Sequence, residues 1–250
     1  MKNKFAVVTG SSTGIGQAIA LELAKQGAFI VLVGRNEDKL LKTKNLIAQN
    51  GGQAEIFLSD FTKLDSLNAL ITLVKQRTEQ VDILVNVAGI WHGKDEVYAD
   101  KDFASFSQQV ILDTYAVGLT APTLLAHAFM PLMLKKEGGR GGSKIINISG
   151  TFENGAKGWL PYYVSKRAIE DLTIGLSEEL KDKNIQVNAI SPSDTATEAY
   201  AKYFPQYMDE AIDPAEIAKQ VALLCSNDST VTGKVFVMKK DKAPYEGYHS

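Results

Sequence analysis

Tyr162 and Lys166 are the residues whose types and spacing point most directly to chemistry. They stand four apart in Tyr162-Tyr163-Val164-Ser165-Lys166, so on a helix they share a face. A phenol has a reference pKa of about 10. A nearby ammonium favours the phenolate and lowers that value, which makes the tyrosine usable as an acid or base near neutrality. Tyr-x-x-x-Lys alone arises often by chance. Its weight comes from Ser149, thirteen residues earlier at the end of an apolar run, whose hydroxyl is placed to hydrogen-bond a substrate carbonyl.

A second group of residues suits a nucleotide. Thr9-Gly10-Ser11-Ser12-Thr13-Gly14-Ile15-Gly16 follows the apolar run Phe5-Ala6-Val7-Val8 and precedes a helical pattern. Glycines let backbone approach phosphates, and the first helical turn offers free N–H groups and a favourable dipole. The spacing G-x-x-x-G-x-G differs from G-x-G-x-x-G, and close strand–helix packing alone would also use glycines. After the next apolar run, Gly34-Arg35-Asn36 carries no carboxylate for a ribose, whereas Arg35 suits a 2′-phosphate. This favours NADP over NAD; a solvated arginine in a capping loop is the plain alternative. Asp60, in Leu58-Ser59-Asp60-Phe61, either accepts from an adenine amino group or caps a helix. The small residues of Asn86-Val87-Ala88-Gly89 let a flat ligand lie on the backbone, as would a tight turn.

These residues need a frame, and the chain supplies one. Apolar, β-branched runs at 5–9, 29–34, 54–58, 83–86, 144–149, 186–190 and 235–237 read as strands. Helical patterns lie between them at 16–26, 37–50, 64–76, 103–136, 162–181 and 213–224. Several strands are apolar on both faces, as in a parallel sheet covered on both sides. The alternation predicts a three-layer α/β fold in one domain spanning residues 1–250. Residues 135–143 form a glycine-rich connection. The segment 193–212, with Tyr200, Tyr203, Phe204 and Tyr207, follows a strand end where ligand crevices form. It reads equally as a lid or as a helix packed on the core.

Composition excludes several classes. There are 27 Lys and Arg against 29 Asp and Glu, with no basic block, so nucleic acid is not the expected partner. Apolar runs such as Phe29-Ile30-Val31-Leu32-Val33 are too short to span a bilayer, and the N-terminus lacks a signal-peptide pattern. The single cysteine, Cys225, cannot form an internal disulfide, which makes a reducing, cytoplasmic setting the default. His92, His127 and His249 are scattered, so no metal is expected. Trp91, Phe152 and Trp159 flank the motif loops, where they suit either an apolar substrate pocket or an interface or core.

Taken in order, these motifs resemble those of a classical short-chain dehydrogenase/reductase, from about Lys4 to Val237. The resemblance rests on the glycine turn, Asp60, Asn86-x-Ala88-Gly89, Ser149, Tyr162-x-x-x-Lys166, Asn188-x-Ile190-x-Pro192 and Thr232-Gly233. It implies a three-layer Rossmann fold with a doubly wound, seven-stranded parallel sheet and helices on both faces. It implies hydride transfer between NAD(P) and a small-molecule carbonyl or alcohol. Ser149 would polarise the carbonyl, Tyr162 would carry the proton, and Lys166 would bind the nicotinamide ribose and lower the tyrosine pKa. Pro192 to Thr197 would hold the carboxamide, partly through the backbone of Thr195. A homodimer or homotetramer is implied.

Departures from the family pattern accompany it. Tyr115 stands where the family has a catalytic asparagine, in Asp113-Thr114-Tyr115-Ala116-Val117-Gly118. Ser193 and Val87 replace a familiar glycine and asparagine, and Val237-Met238-Lys239-Lys240 replaces a C-terminal Asp-Gly-Gly. Spacing to Tyr162 selects Ser149 as the catalytic hydroxyl, with Thr151 as a substitute, whereas strand alignment places Gly150 there. These departures keep open a nucleotide-binding sensor or scaffold with reduced catalysis. Reduction of an activated alkene is disfavoured by the tyrosine–lysine pair.

Overall fold

The computed structural model describes residues 1–134, 142–152 and 156–249. The chain runs β1 (Phe5–Thr9), α1 (Gly14–Lys25), β2 (Phe29–Gly34), α2 (Glu37–Gln49), β3 (Gln53–Leu58), α3 (Leu64–Arg77) and β4 (Ile83–Asn86). It continues through α4 (Gln108–Tyr115), α5 (Ala121–Met133), β5 (Ser143–Ile148), α6 (Leu160–Leu180) and β6 (Ile185–Pro192). It ends with α7 (Glu198–Tyr203), α8 (Pro214–Leu224), β7 (Lys234–Met238) and β8 (Tyr245–Glu246).

The strands form one sheet in the order β3-β2-β1-β4-β5-β6-β7-β8. The first seven are parallel, as expected from the sequence. The eighth is a short antiparallel addition on β7, pairing Val237 with Tyr245, which the sequence patterns did not reveal. Two residues are too few to carry a periodic signal.

Alternating side chains build two cores. Ala6, Val8, Ile30 and Leu32 face α1, α2 and α8 through Ile19, Leu23, Leu40, Ile47, Ile217 and Val221. Val7, Val31 and Val33 face α3 and α5 through Leu67, Leu70, Val74, Leu125 and Phe129. The period of two thus sends each strand's apolar residues to both layers. The chain order reverses between β1 and β4, which opens a crevice beyond their carboxyl ends.

The expected helix at 103–136 is divided. A 3₁₀ turn at Phe103–Ser105 precedes α4, a π-helical turn at Ala116–Thr120 joins α4 to α5, and α5 ends at Met133. Lys135 and Lys136, and the glycine-rich connection as far as Gly141, lie outside the described residues. By length and composition alone, Gln108–Met133 is long and apolar enough to cross a membrane, a test that the core helix of a soluble protein also passes. Its Ala121, Leu125, Ala126 and Phe129 are buried in the second core, the place of a core helix.

Candidate active site

The glycine turn sits at the mouth of this crevice. Gly10 and Gly14 have φ of +64° and +56°, which other residues adopt at a cost. Gly16 has a packing reason: a Cβ there would lie 2.3 Å from the Gly10 oxygen. A Cβ on Gly14 would lie 3.0 Å from Thr197 Cγ2, so the turn also admits the segment after β6. Thr13 is the N-cap of α1 without a side-chain cap, and no acidic residue occupies its first turn. The free N–H groups there are therefore available to an anion.

A cavity of about 1370 Å³ runs from this turn to the ends of β5 and β6. Gly10, Ser12, Thr13, Gly14, Ile15 and Gly16 line its first part, with Arg35 and Phe61 beside them. Arg35 is exposed and has no ion-pair partner among the described residues. Ala88 and Gly89 follow, then Ser149, Tyr162 and Lys166, and finally Pro192, Thr195 and Thr197. The fold therefore gathers into one cavity residues spread from position 10 to 197.

Two expected residues are not on its wall. Asp60 accepts from the Thr62 amide and hydroxyl at 3.2 and 2.9 Å, a local turn; it does not cap α3, whose N-cap is Lys63. Asn86 is buried beneath the cavity and donates to Asn147 Oδ1 at 2.8 Å. Tyr115 is likewise absent from the wall, so its phenol does not stand in for an asparagine there.

Helix α6 delivers Tyr162 and Lys166 together. Lys166 Nζ lies 5.3 Å from the Tyr162 ring centre and donates to the Ile148 carbonyl at 2.7 Å. Burial lowers the Lys166 ammonium to about 8, and Glu170 opposes that fall. Burial raises the Tyr162 phenol well above its ordinary value. The expected lowering of the phenol pKa is thus not seen in this arrangement. The ammonium is turned to a backbone carbonyl, while rings surround the phenol: Phe152 at 5.8 Å and Trp159 at 6.2 Å between centres. Tyr162 is consequently a neutral O–H near pH 7, and its hydroxyl has no hydrogen-bond partner among the described residues.

Ser149 is positioned otherwise than its motif suggests. Its Oγ lies 2.6 Å from Glu170 Oε1 and 3.0 Å from the Lys166 carbonyl oxygen. Both neighbours are acceptors and a hydroxyl has one proton, so its donor capacity is spent inside the protein. Glu170 is fully buried and also accepts from Arg167 Nη1 and from the His249 amide. Glu170 was not singled out in the sequence, although its place one helical turn after Lys166 puts it on the same face.

Gly89 leaves the space a flat ligand needs, since a Cβ there would sit 3.4 Å from Lys166 Nζ and 3.6 Å from Tyr162 Cε2. With the uncapped helix start, the free Arg35 and this gap, the residues fit an extended dinucleotide.

Fold and site together define a Rossmann-type α/β protein with its crevice at the strand-order reversal. The family model for short chain dehydrogenase matches residues 4–208, and the chain belongs to that family. It is therefore an oxidoreductase. An uncharacterized oxidoreductase of Staphylococcus aureus (strain MRSA252) is 33% identical over 225 residues, 88% of this chain and 90% of that one. A crystal structure from Shigella flexneri, described as a short chain dehydrogenase complexed with NADP, superposes with a TM-score of 0.83 at 27% identity, covering 95% and 97% of the two chains. An actinorhodin polyketide ketoreductase crystallised with NADPH gives a TM-score of 0.83 at 26% identity, covering 96% and 98%.

Proposed function

We propose that this enzyme is an NADP-dependent carbonyl reductase, working with Tyr162 as proton donor. The observation that carries this reading is the Tyr162 hydroxyl: neutral, unpartnered among the described residues and facing the cavity beside Lys166. The nicotinamide, when bound, supplies the hydride. Gly10 to Gly16 would hold the pyrophosphate by backbone N–H groups, Arg35 would hold the 2′-phosphate, and Ala88 and Gly89 would leave room for the ring. Lys166, anchored on the Ile148 carbonyl, would bind the ribose hydroxyls. Pro192, Thr195 and Thr197 border the carboxamide. In the direction of reduction, the protonated phenol would give its proton to the carbonyl oxygen and recover one from solvent.

Neighbours crystallised with NADP or NADPH, and the ketoreductase among them, support the cofactor and the chemistry. The sensor or scaffold alternative is not favoured. We also read the segment 193–212 as a lid. Tyr203 Oη donates to the Lys94 carbonyl and Lys39 pairs with Glu198 at 3.7 Å, contacts that hold α7 over the cavity. Exposed Leu112, Leu160 and Val164 on α4 and α6 support a homodimer or larger homo-oligomer. The single cysteine, Cys225, is buried, and we keep a reducing cytoplasmic setting as the reading. The test is NADPH oxidation with a panel of ketones, aldehydes and quinones. Turnover that disappears in Tyr162→Phe while NADPH binding persists supports the reading; unchanged turnover in that variant refutes it.

A further inference from the structure

Two independent features of the cavity restrict what it reduces. The first is a shortage of donors at the end of β5. The Ser149 hydroxyl faces two acceptors, as described above, and the Thr151 hydroxyl lies 3.4 Å from the Pro192 carbonyl oxygen. Between them stands Gly150, with no side chain. A Cβ there would meet the Phe152 ring at 3.5 and 3.8 Å and Lys166 Cγ at 4.0 Å, which is ordinary contact. Among the described residues at the end of β5, this leaves the Tyr162 hydroxyl as the side-chain donor for a substrate carbonyl. A missing oxyanion donor ordinarily costs a factor of about 100–1000 in rate, so an unactivated ketone is penalised.

The second feature is an aromatic wall. Trp91 and Trp159 line the cavity with ring centres 6.5 Å apart, and Trp159 touches Tyr162. Phe204 of the 193–212 segment packs on both, at 6.3 and 6.1 Å, without itself lining the cavity. Phe152 closes the other side of Tyr162. Held rings of this kind favour flat, conjugated ligands through stacking.

We infer that the substrate is a planar conjugated carbonyl of the quinone class, a proposal that rests on the reductase reading above. Such a carbonyl accepts hydride readily because the product becomes aromatic, so it tolerates a single hydrogen-bond donor. The electrons balance simply. One hydride from the reduced nicotinamide and one proton from Tyr162 convert one quinone oxygen to a hydroxyl. A second proton, which comes from carbon as the ring becomes aromatic, ends on the other oxygen, and a solvent proton restores Tyr162. The products are the hydroquinone and the oxidised cofactor.

The chain has two tryptophans, Trp91 and Trp159, and both are on this wall, so intrinsic fluorescence reports its occupancy directly. The probes are 1,4-naphthoquinone and 2-decalone, a flat conjugated and a saturated bicyclic carbonyl of similar size. With NADP present, naphthoquinone is expected to quench the fluorescence with at least tenfold tighter affinity than decalone, and Trp159→Ala is expected to remove that advantage. With NADPH, kcat/KM for naphthoquinone is expected to exceed that for decalone by about 100-fold, after subtraction of the uncatalysed rate. Gly150→Ser, which installs a hydroxyl where the space admits one, is expected to raise decalone reduction at least tenfold. Equal affinity or equal turnover for the two probes, or no response of decalone reduction to a folded Gly150→Ser variant, overturns the inference. The underlying reading fails differently: NADPH is then not oxidised with any carbonyl, and the naphthoquinone quench alone upholds the ligand class.

Discussion

Replacing Lys166 by methionine should stabilise the cofactor-free protein at neutral pH while removing its activity. Burial holds the Lys166 ammonium at about 8 against an ordinary value of 10.5. The gap is roughly 2.5, and at about 1.4 kcal/mol per pH unit the native protein carries a penalty of about 3 kcal/mol wherever the lysine is charged. Methionine removes the charge and keeps the stem packed. It forfeits the hydrogen bond to the Ile148 carbonyl, at a cost of about 1 kcal/mol. Glu170 keeps Ser149, Arg167 and the His249 amide as partners. The net gain is about 1–2 kcal/mol, or several degrees in Tm for a chain of this size. The pH dependence has a definite sign. Between pH 8 and 10.5 the unfolded chain binds the proton that the folded protein has released, so native stability rises with pH. The Lys166→Met advantage should therefore be full below pH 8 and fade towards pH 10.5. Urea unfolding of both proteins at pH 7, 9 and 10.5 measures this. A stability difference that does not change across that range would refute the assignment of a strained, buried ammonium.

Three further outcomes follow from the site. Tyr162→Phe should lower kcat by about 100- to 10,000-fold, with NADPH affinity retained in equilibrium titration. Arg35→Asp should shift preference from NADPH towards NADH in comparative kcat/KM; equal native affinity for both cofactors would remove the 2′-phosphate role from Arg35. Gly16→Ala places a Cβ 2.3 Å from the Gly10 oxygen, and such overpacking costs about 1–3 kcal/mol. A fall of several degrees in Tm, with at least tenfold weaker NADP binding by calorimetry, is expected, whereas unchanged binding would show that the turn does not cradle the pyrophosphate.

Much of the fold was legible because it depends on local periodicity. A run such as Phe29–Gly34 is apolar on both faces, which marks a covered parallel strand. The division of the long helix at Ala116–Thr120 was not legible. A π-helical turn changes the hydrogen-bond pattern, not the composition, and Ala116-Val117-Gly118-Leu119-Thr120 reads as ordinary helix. Within the site, Asp60 and Asn86 carry motif identities but not cavity positions. Asp60 serves its own turn through Thr62, and Asn86 donates its amide to Asn147 of the neighbouring strand, beneath the cavity.

By itself the sequence determined the features that short-range geometry dictates. The glycines at 10, 14 and 16 permit one kind of strand-to-helix turn, and a spacing of four puts Tyr162 and Lys166 on one helical face. Alternating strands and helices fixed the layered α/β class, whereas the strand order and the crevice at its reversal came from the tertiary structure. Only the tertiary structure decided where Ser149 spends its proton, because that depends on Glu170, which reaches it from a different element 21 residues away. Only the tertiary structure built the wall of Trp91, Trp159 and Phe204, residues from three separate loops and helices. Periodicity and spacing act within one element; the choice of hydrogen-bond partner and of neighbouring ring is made where elements pack.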